Sequence, residues 1–421
     1  MLENLTDKEF NDFSRDYPSN TFFQSSYWGE LKATTGWKSH IVGIKKNGKV
    51  SAATLLLAKK IPLFNKYIFY APRGFLVNYD NFDELKQFCD EITKYVKKNK
   101  GIFVKINPYL MYQQRDINGN IVDNGENHKQ AVENLKKLGF VHNGFTINYG
   151  KDLEPRWISV LDIEGKTSEE LLKNMRSTTR WGINNSYKHG FKLIEIDEKR
   201  LPEFKKLMEH TGERRGFIDR PLSYYKNMYK AFSKDDNIKI LLVELNVKEY
   251  LENLDKQLSD LTSKIENARV KADSAKAKRS LKEFEKQEIN LRKRIDNLKQ
   301  IKTEKGDIIV VAGGLFMTYG TQVISLFGAS YREYMKFNGQ YFLNFEMIKY
   351  AVENNYKKYN FLGITGEFNE DSPMYGLFDF KRGFNSDVIE LIGEFNKVTN
   401  KFYYYIYNVM FFMYRKLKKW M

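Results

Sequence analysis

The chain has 421 residues, 42% hydrophobic content and only 8 prolines, enough for two domains that each bury a core. Its formal charge of +16 implies an anionic partner: nucleic acid, a phosphorylated substrate or an anionic membrane. The single cysteine, Cys89, excludes an intrachain disulfide framework, and His40, His128, His142, His189 and His210 have no metal-ligand spacing.

In chain order, the start Met1-Leu-Glu-Asn lacks the basic and apolar regions of a signal peptide, which predicts a cytoplasmic protein. Strands are expected at Ile41–Ile44, Val50–Leu57 and Tyr67–Gly74. A helix from Phe82 to Lys97 follows, with Cys89 on its apolar stripe as a buried thiol, and then a strand at Ile102–Ile106. The same series recurs as Ile240–Val243, Val310–Met317, Val323–Ser330, Tyr341–Glu353 and Tyr359–Gly363. The offset between the copies grows after the first strand by about the length of the intervening segment. One α/β unit is therefore present twice, the second copy interrupted between two of its strands. Between the copies, Lys173 to Lys188 reads as one basic helix carrying Arg176, Arg180 and Trp181. A solvated face and a tRNA or phosphate contact both fit it.

The interrupting segment, 247–303, is heptad-patterned. Leu251, Leu254, Leu258, Leu261, Ile265, Ala268, Ala272 and Ala275 alternate three- and four-residue steps. After a break expected near Lys278-Arg279, Leu281, Phe284, Leu291, Ile295 and Leu298 resume the pattern, with Glu288 as the one polar misfit. Such stripes bury one another as an antiparallel coiled-coil hairpin with arms about 40 Å long. Its tip carries Lys271, Lys276, Lys278, Arg279 and Lys282 against only Asp273, which suits a large anionic partner; a solvated dimerisation coil is the plainer alternative. The aromatic run Phe402 to Tyr414 ends in Arg415-Lys-Leu-Lys-Lys-Trp-Met421. At about thirteen residues it is too short to span a bilayer. It suits either a helix lying on the inner leaflet or one packed on the body. Neither the phosphate-binding motifs G-x-x-x-x-G-K-[ST] and G-x-G-x-x-G nor a G-x-S-x-G nucleophile elbow occurs, so any acyl donor is expected to arrive already activated.

Four features together resemble one family: Phe23-Gln-Ser-Ser-Tyr-Trp-Gly-Glu-Leu-Lys32, Arg73-Gly-Phe75, Tyr375-Gly-Leu-Phe-Asp-Phe-Lys-Arg-Gly-Phe384, and a heptad insert in the second repeat. They are similar to the Fem/MurM-type aminoacyl transferases, which build the peptidoglycan interpeptide bridge. The resemblance implies an α/β (α+β) fold of two tandem acetyltransferase-like (GNAT) domains, 1–153 and 154–246 plus 304–400. The coiled-coil arm would then be 247–303 and a basic aromatic helix 401–421. It implies transfer of an amino acid (Gly, Ala or Ser class) from aminoacyl-tRNA to the stem-peptide lysine amine, or growing bridge, of a lipid-linked precursor. The enzyme would sit peripherally at the inner leaflet and need no metal or organic cofactor; homo- or hetero-oligomers with related transferases stay open. Coenzyme A is not expected, because Lys336-Phe-Asn-Gly-Gln-Tyr341 has Tyr where its pyrophosphate loop needs a small residue.

The resemblance places Lys381 at a catalytic position, where an ammonium stabilises the oxyanion formed as the amine attacks the ester. Lys32, four residues after Trp28, and Arg220, four before Tyr224, match positions holding the precursor's phosphates. Phe327 falls where relatives carry Tyr, and Tyr109 is assigned to the acceptor cleft. Lys271, Lys276, Lys278, Arg279, Lys282, Arg176 and Arg180 are the candidate tRNA contacts. Transfer onto a membrane lipid or protein N-terminus, or non-catalytic nucleic-acid binding, are the alternative functions.

Overall fold

Two sheets organise the chain, whose computed structural model describes residues 1–150, 152–270 and 274–420. The first sheet runs, in spatial order, Leu2–Asn4, Lys38–Lys46, Lys49–Lys60, Tyr67–Ala71, Gly101–Ile106, Phe395–Val398, Val141–His142. The second runs Met111–Gln114, Asp387–Leu391, Trp157–Asp162, Lys358–Ile364, Gln322–Ser330, Ile308–Tyr319, Ile238–Asn246, Lys192–Glu195. Helices complete a mixed α/β fold.

Local chemistry explains the elements. Lys38–Lys46 and Lys49–Lys60 are joined by Asn47-Gly48, with φ of +52° and +76°, the backbone that a tight two-residue hairpin requires. The helix Phe82–Lys98 starts where the Asn81 side chain accepts from the Glu84 N–H at 3.1 Å, with acids in its first turn and lysines in its last. Leu85, Phe88, Cys89, Ile92 and Val96 form its buried stripe, and burial pushes the Cys89 thiol up to about 12.

The repeat expected from sequence appears as shared topology. In each sheet a long antiparallel hairpin leads into one parallel pair. Tyr67–Ala71 pairs with Gly101–Ile106 across the helix Phe82–Lys98, and Gln322–Ser330 pairs with Lys358–Ile364 across Gly339–Glu353. Two strands cross between the copies. Met111–Gln114, from the first half of the chain, joins the second sheet; Phe395–Val398, from its end, joins the first. Buried carboxylates fasten the exchange. Glu390 accepts from Arg115 Nε at 2.7 Å, from Gln113 at 2.9 Å and from Arg156, while Glu394 accepts from Lys105 at 2.5 Å and from the Leu153 N–H at 2.7 Å. Charges this dry hold their places only when paired in this way. One buried cluster also spans both halves, with Phe22, Trp28 and Leu31 against Phe204, Phe232, Leu315 and Met317.

Two expectations need correction. Lys173 to Lys188 is not one helix: Ser168–Asn174 and Ser177–Tyr187 are separated by extended Met175 and Arg176. The break arises because the Arg176 N–H bonds to the Gly383 carbonyl at 3.0 Å instead of continuing the first helix. In the interrupting segment the helices are Val247–Val270 and Ala275–Lys305, so Lys278 and Arg279 lie inside the second helix and not at a break. Ser274, in extended conformation, caps that helix by accepting from the Ala277 N–H at 3.2 Å. The helices lie side by side, with Arg269 on Glu285 at 3.0 Å and Arg294 on Tyr250, and they leave the body between the neighbouring strands Ile238–Asn246 and Ile308–Tyr319. The final helix, Lys401–Trp420, rests Tyr403, Tyr404 and Tyr407 on Ile61, Phe64, Ile68 and Phe103.

Candidate active site

Pairing between Gln322–Ser330 and Lys358–Ile364 covers only Gln322 to Ile324 against Lys358 to Asn360. Beyond that point the second strand carries a bulge, with Leu362 at φ +61°. At this irregularity the helix Tyr375–Arg382 delivers Lys381, whose Nζ donates to the carbonyl oxygens of Phe361 and Gly363, both at 2.6 Å. Only 8% of Lys381 is exposed, and burial pulls its pKa down to about 7. An amine tied by two N–H bonds to carbonyls keeps one bond direction for a ligand, and near neutral pH it exists in both protonation states.

The Lys381 helix is clamped at its end. Arg176 grips both carboxylate oxygens of Asp379, at 2.6 and 2.9 Å, and Asp379 also takes Arg382 at 2.6 Å. Arg180 is spent on the carbonyls of Lys173, at 2.9 Å, and Met175. Both guanidiniums expected to contact tRNA therefore have internal partners, and Arg176 is paired with the helix that carries Lys381.

One residue along the strand from Phe361, the buried Asn360 points the other way. Its amide donates to the Tyr109 hydroxyl at 3.0 Å and to Gln322 at 3.1 Å. Tyr109 is half-buried, desolvation pushes its hydroxyl up to about 12, and its ring lies 5.9 Å from the Arg73 guanidinium. Arg73, itself buried, donates to the Pro155 carbonyl at 2.7 Å. The adjoining residue, Glu154, has its pKa raised by burial, opposed by Arg73, Lys32 and Arg220.

That carboxylate marks where the phosphate-site candidates converge. Lys32 sits over the Trp28 ring at 4.8 Å, and its pKa is lowered by burial, with Glu154 opposing and Arg220 adding to the shift. Arg220 lies over Tyr224 at 5.5 Å, and Tyr224 is pushed up to about 12 by burial. Phe327 joins through Tyr225, their rings 5.8 Å apart edge to face. Among the described residues the Trp28 indole N–H and the Asn107 amide beside Arg73 are buried donors without a partner. Lys381 and Tyr109 thus hold neighbouring residues of one strand, Phe361 and Asn360, while Arg73 stands over the Tyr109 ring and, with Lys32 and Arg220, acts electrostatically on Glu154.

Lys276, Lys278, Arg279 and Lys282 are exposed at the far end of the two long helices, apart from these residues; Lys271 lies outside the described residues. Sequence reasoning gave no role to Glu154, Asn360 or Gln322, and Arg73 entered only as part of a motif. A polar side chain at a position buried in an otherwise apolar strand was the available signal for Asn360 and Gln322, which are 2% and 3% exposed.

The chain is thus a two-sheeted α/β protein with a buried lysine where a strand pair parts, and it is similar to known transferases. Aminoacyltransferase FemA of Staphylococcus epidermidis is 34% identical over 421 residues, covering 99% of each chain. That of Staphylococcus aureus is 32% identical over 412 residues, 97% of each. Among solved structures, FemX is 29% identical, with a TM-score of 0.79, covering 96% of this chain and 99% of that one. Residues 5–411 match the FemAB family. The chain belongs to the FemAB family, and it is a transferase enzyme.

Proposed function

We propose that this enzyme moves an amino acid of the Gly, Ala or Ser class from aminoacyl-tRNA to the stem-peptide lysine amine, or growing bridge, of a lipid-linked peptidoglycan precursor. The observation that carries the proposal is Lys381, a buried amine with pKa about 7 held on two carbonyls where a strand pair parts. The neutral acceptor amine attacks the ester carbonyl, forming the C–N bond. The C–O bond to the tRNA ribose breaks, and the proton lost by the amine ends on that ribose oxygen. The remaining N–H of protonated Lys381 stabilises the oxyanion between these events. Lys32 and Arg220 take the precursor's phosphates, with the Trp28 and Tyr224 rings as their floor, and Phe327 and Tyr109 line the acceptor's path.

Two acetyltransferase-like bodies, 1–153 and 154–246 with 304–400, form the cleft and trade one strand each. The helices of 247–303 act as an antiparallel coiled-coil arm, whose apolar faces are Leu251, Leu254 and Ile265 against Leu291, Ile295 and Leu298. Its exposed lysines and arginine engage the tRNA backbone. The acceptor's lipid places the reaction at the inner leaflet. The test is incubation with individually charged tRNAs and a lysine-containing lipid-linked precursor, followed by mass measurement. Gain of one aminoacyl residue with a charged tRNA is expected; no product with any tRNA, alongside salt-sensitive binding of any RNA, overturns the reading.

A further inference from the structure

The final helix has two apolar sides, and the body covers one. Tyr403, Tyr404 and Tyr407 face the first sheet. On the other side Phe402 is 69% exposed and Tyr405 71%, with Val409 continuing the stripe at helical spacing. Large aromatic side chains in a row facing water are unfavourable for a protein that stays in water. Their surroundings select the partner. Neither 401–421 nor the neighbouring loop 58–67 contains an Asp or Glu. Instead they supply exposed Lys60 and Lys401, and Lys66 over the Tyr403 ring at 4.8 Å. Leu63, at the tip of that loop, is 92% exposed, and Phe64 behind it stacks edge to face on Tyr403 at 5.8 Å.

We infer that this helix face and the 61–66 loop form a docking surface for an anionic lipid bilayer. Aromatic rings and Leu63 enter the headgroup boundary while the cations meet lipid phosphates. Among the described residues no helix is long and apolar enough to cross a membrane, so the helix lies along the surface. The inference rests on the proposed lipid-linked acceptor only for its purpose; the surface itself stands on exposure and charge.

The experiment is co-sedimentation of the full chain with vesicles of equal parts phosphatidylglycerol and phosphatidylcholine, against phosphatidylcholine alone. Strong, salt-sensitive binding to the anionic vesicles is expected. A Phe402→Ser/Tyr405→Ser/Val409→Ser variant, which leaves the three packed tyrosines in place, should bind at least tenfold more weakly with unchanged melting. Lys60→Glu/Lys401→Glu, two surface changes that leave the helix's packing intact, should show a similar loss. Binding indifferent to lipid charge or to both variants overturns the inference. So does a dimer of this chain that the serine variant dissolves while vesicles go unbound. Turnover on a water-soluble acceptor fragment separates the two readings. Its retention in the serine variant is expected, whereas vesicle binding with no turnover in any form sinks the transferase reading and spares the surface.

Discussion

The side-chain amide of Asn360 donates to the hydroxyl of Tyr109 at 3.0 Å, across 251 residues of sequence. Tyr109 comes from the connection that carries the chain out of the first sheet. Asn360 belongs to the strand whose next carbonyl receives Lys381. This bond couples the wall of one half to the lysine support of the other.

Removing the Tyr109 hydroxyl by Tyr109→Phe leaves Asn360 its second partner, Gln322, and should cost about 1 kcal/mol. Asn360→Ala also strips the acceptor of the Leu362 N–H, at 2.8 Å, and should cost about twice as much. Urea unfolding of both variants checks this. Equal losses would mean that the Leu362 turn does not depend on Asn360.

Lys381→Met keeps the bulk of the stem and removes the charge. It should lower kcat about a hundredfold, roughly 3 kcal/mol, with little change in acceptor binding. Lys381→Arg should rescue poorly, because a planar fork does not fit a site shaped by two carbonyls around one nitrogen. A folded methionine variant with near-normal turnover would remove the residue from the mechanism.

The pH dependence follows from the same group. Its folded pKa, about 7, lies below the ordinary lysine value of 10.5, so the unfolded chain binds more protons between these values and this group's contribution to stability rises with pH across that window. Lys381→Met should flatten that part of the stability profile. If the ammonium is the working form, kcat falls as pH rises through about 7, and the variant lacks that limb. A wild-type rate still climbing above pH 8 would instead assign the neutral amine as base.

Asp379→Asn weakens the grip of Arg176 on the Lys381 helix. It should reduce kcat and move the falling limb of the pH–rate profile, with KM for the acceptor little changed. Arg220→Ala should do the reverse, raising KM for the precursor with turnover at saturation reduced far less.

Replacing residues 248–302 by a short Gly/Ser linker should leave a folded body, because the strands on either side are hydrogen-bonded neighbours. Weaker tRNA engagement with unchanged acceptor binding is expected. Unchanged kinetics with aminoacyl-tRNA would end the arm's proposed role.

Local spacing was enough to locate the strands, the helix Phe82–Lys98 with its buried Cys89, the repeat, and the apolar stripes of the long helices. Each of these is set by side chains a few residues apart, and the motifs around Lys32, Arg73 and Lys381 pointed to the family for the same reason. The position of the helix break did not follow from the heptads, because a cap at Ser274 outweighed the charged pair Lys278-Arg279. What tertiary structure alone decided are relationships between distant segments. The exchange of Met111–Gln114 and Phe395–Val398, the capture of Arg176 by Asp379 and the gathering of Glu154 with Lys32, Arg73 and Arg220 all belong here. So does the seat of Lys381 on two carbonyls where a strand pair parts, which leaves no trace in the residues beside it. A lysine in sequence reads as a surface cation; burial by distant segments is what lowers its pKa to about 7.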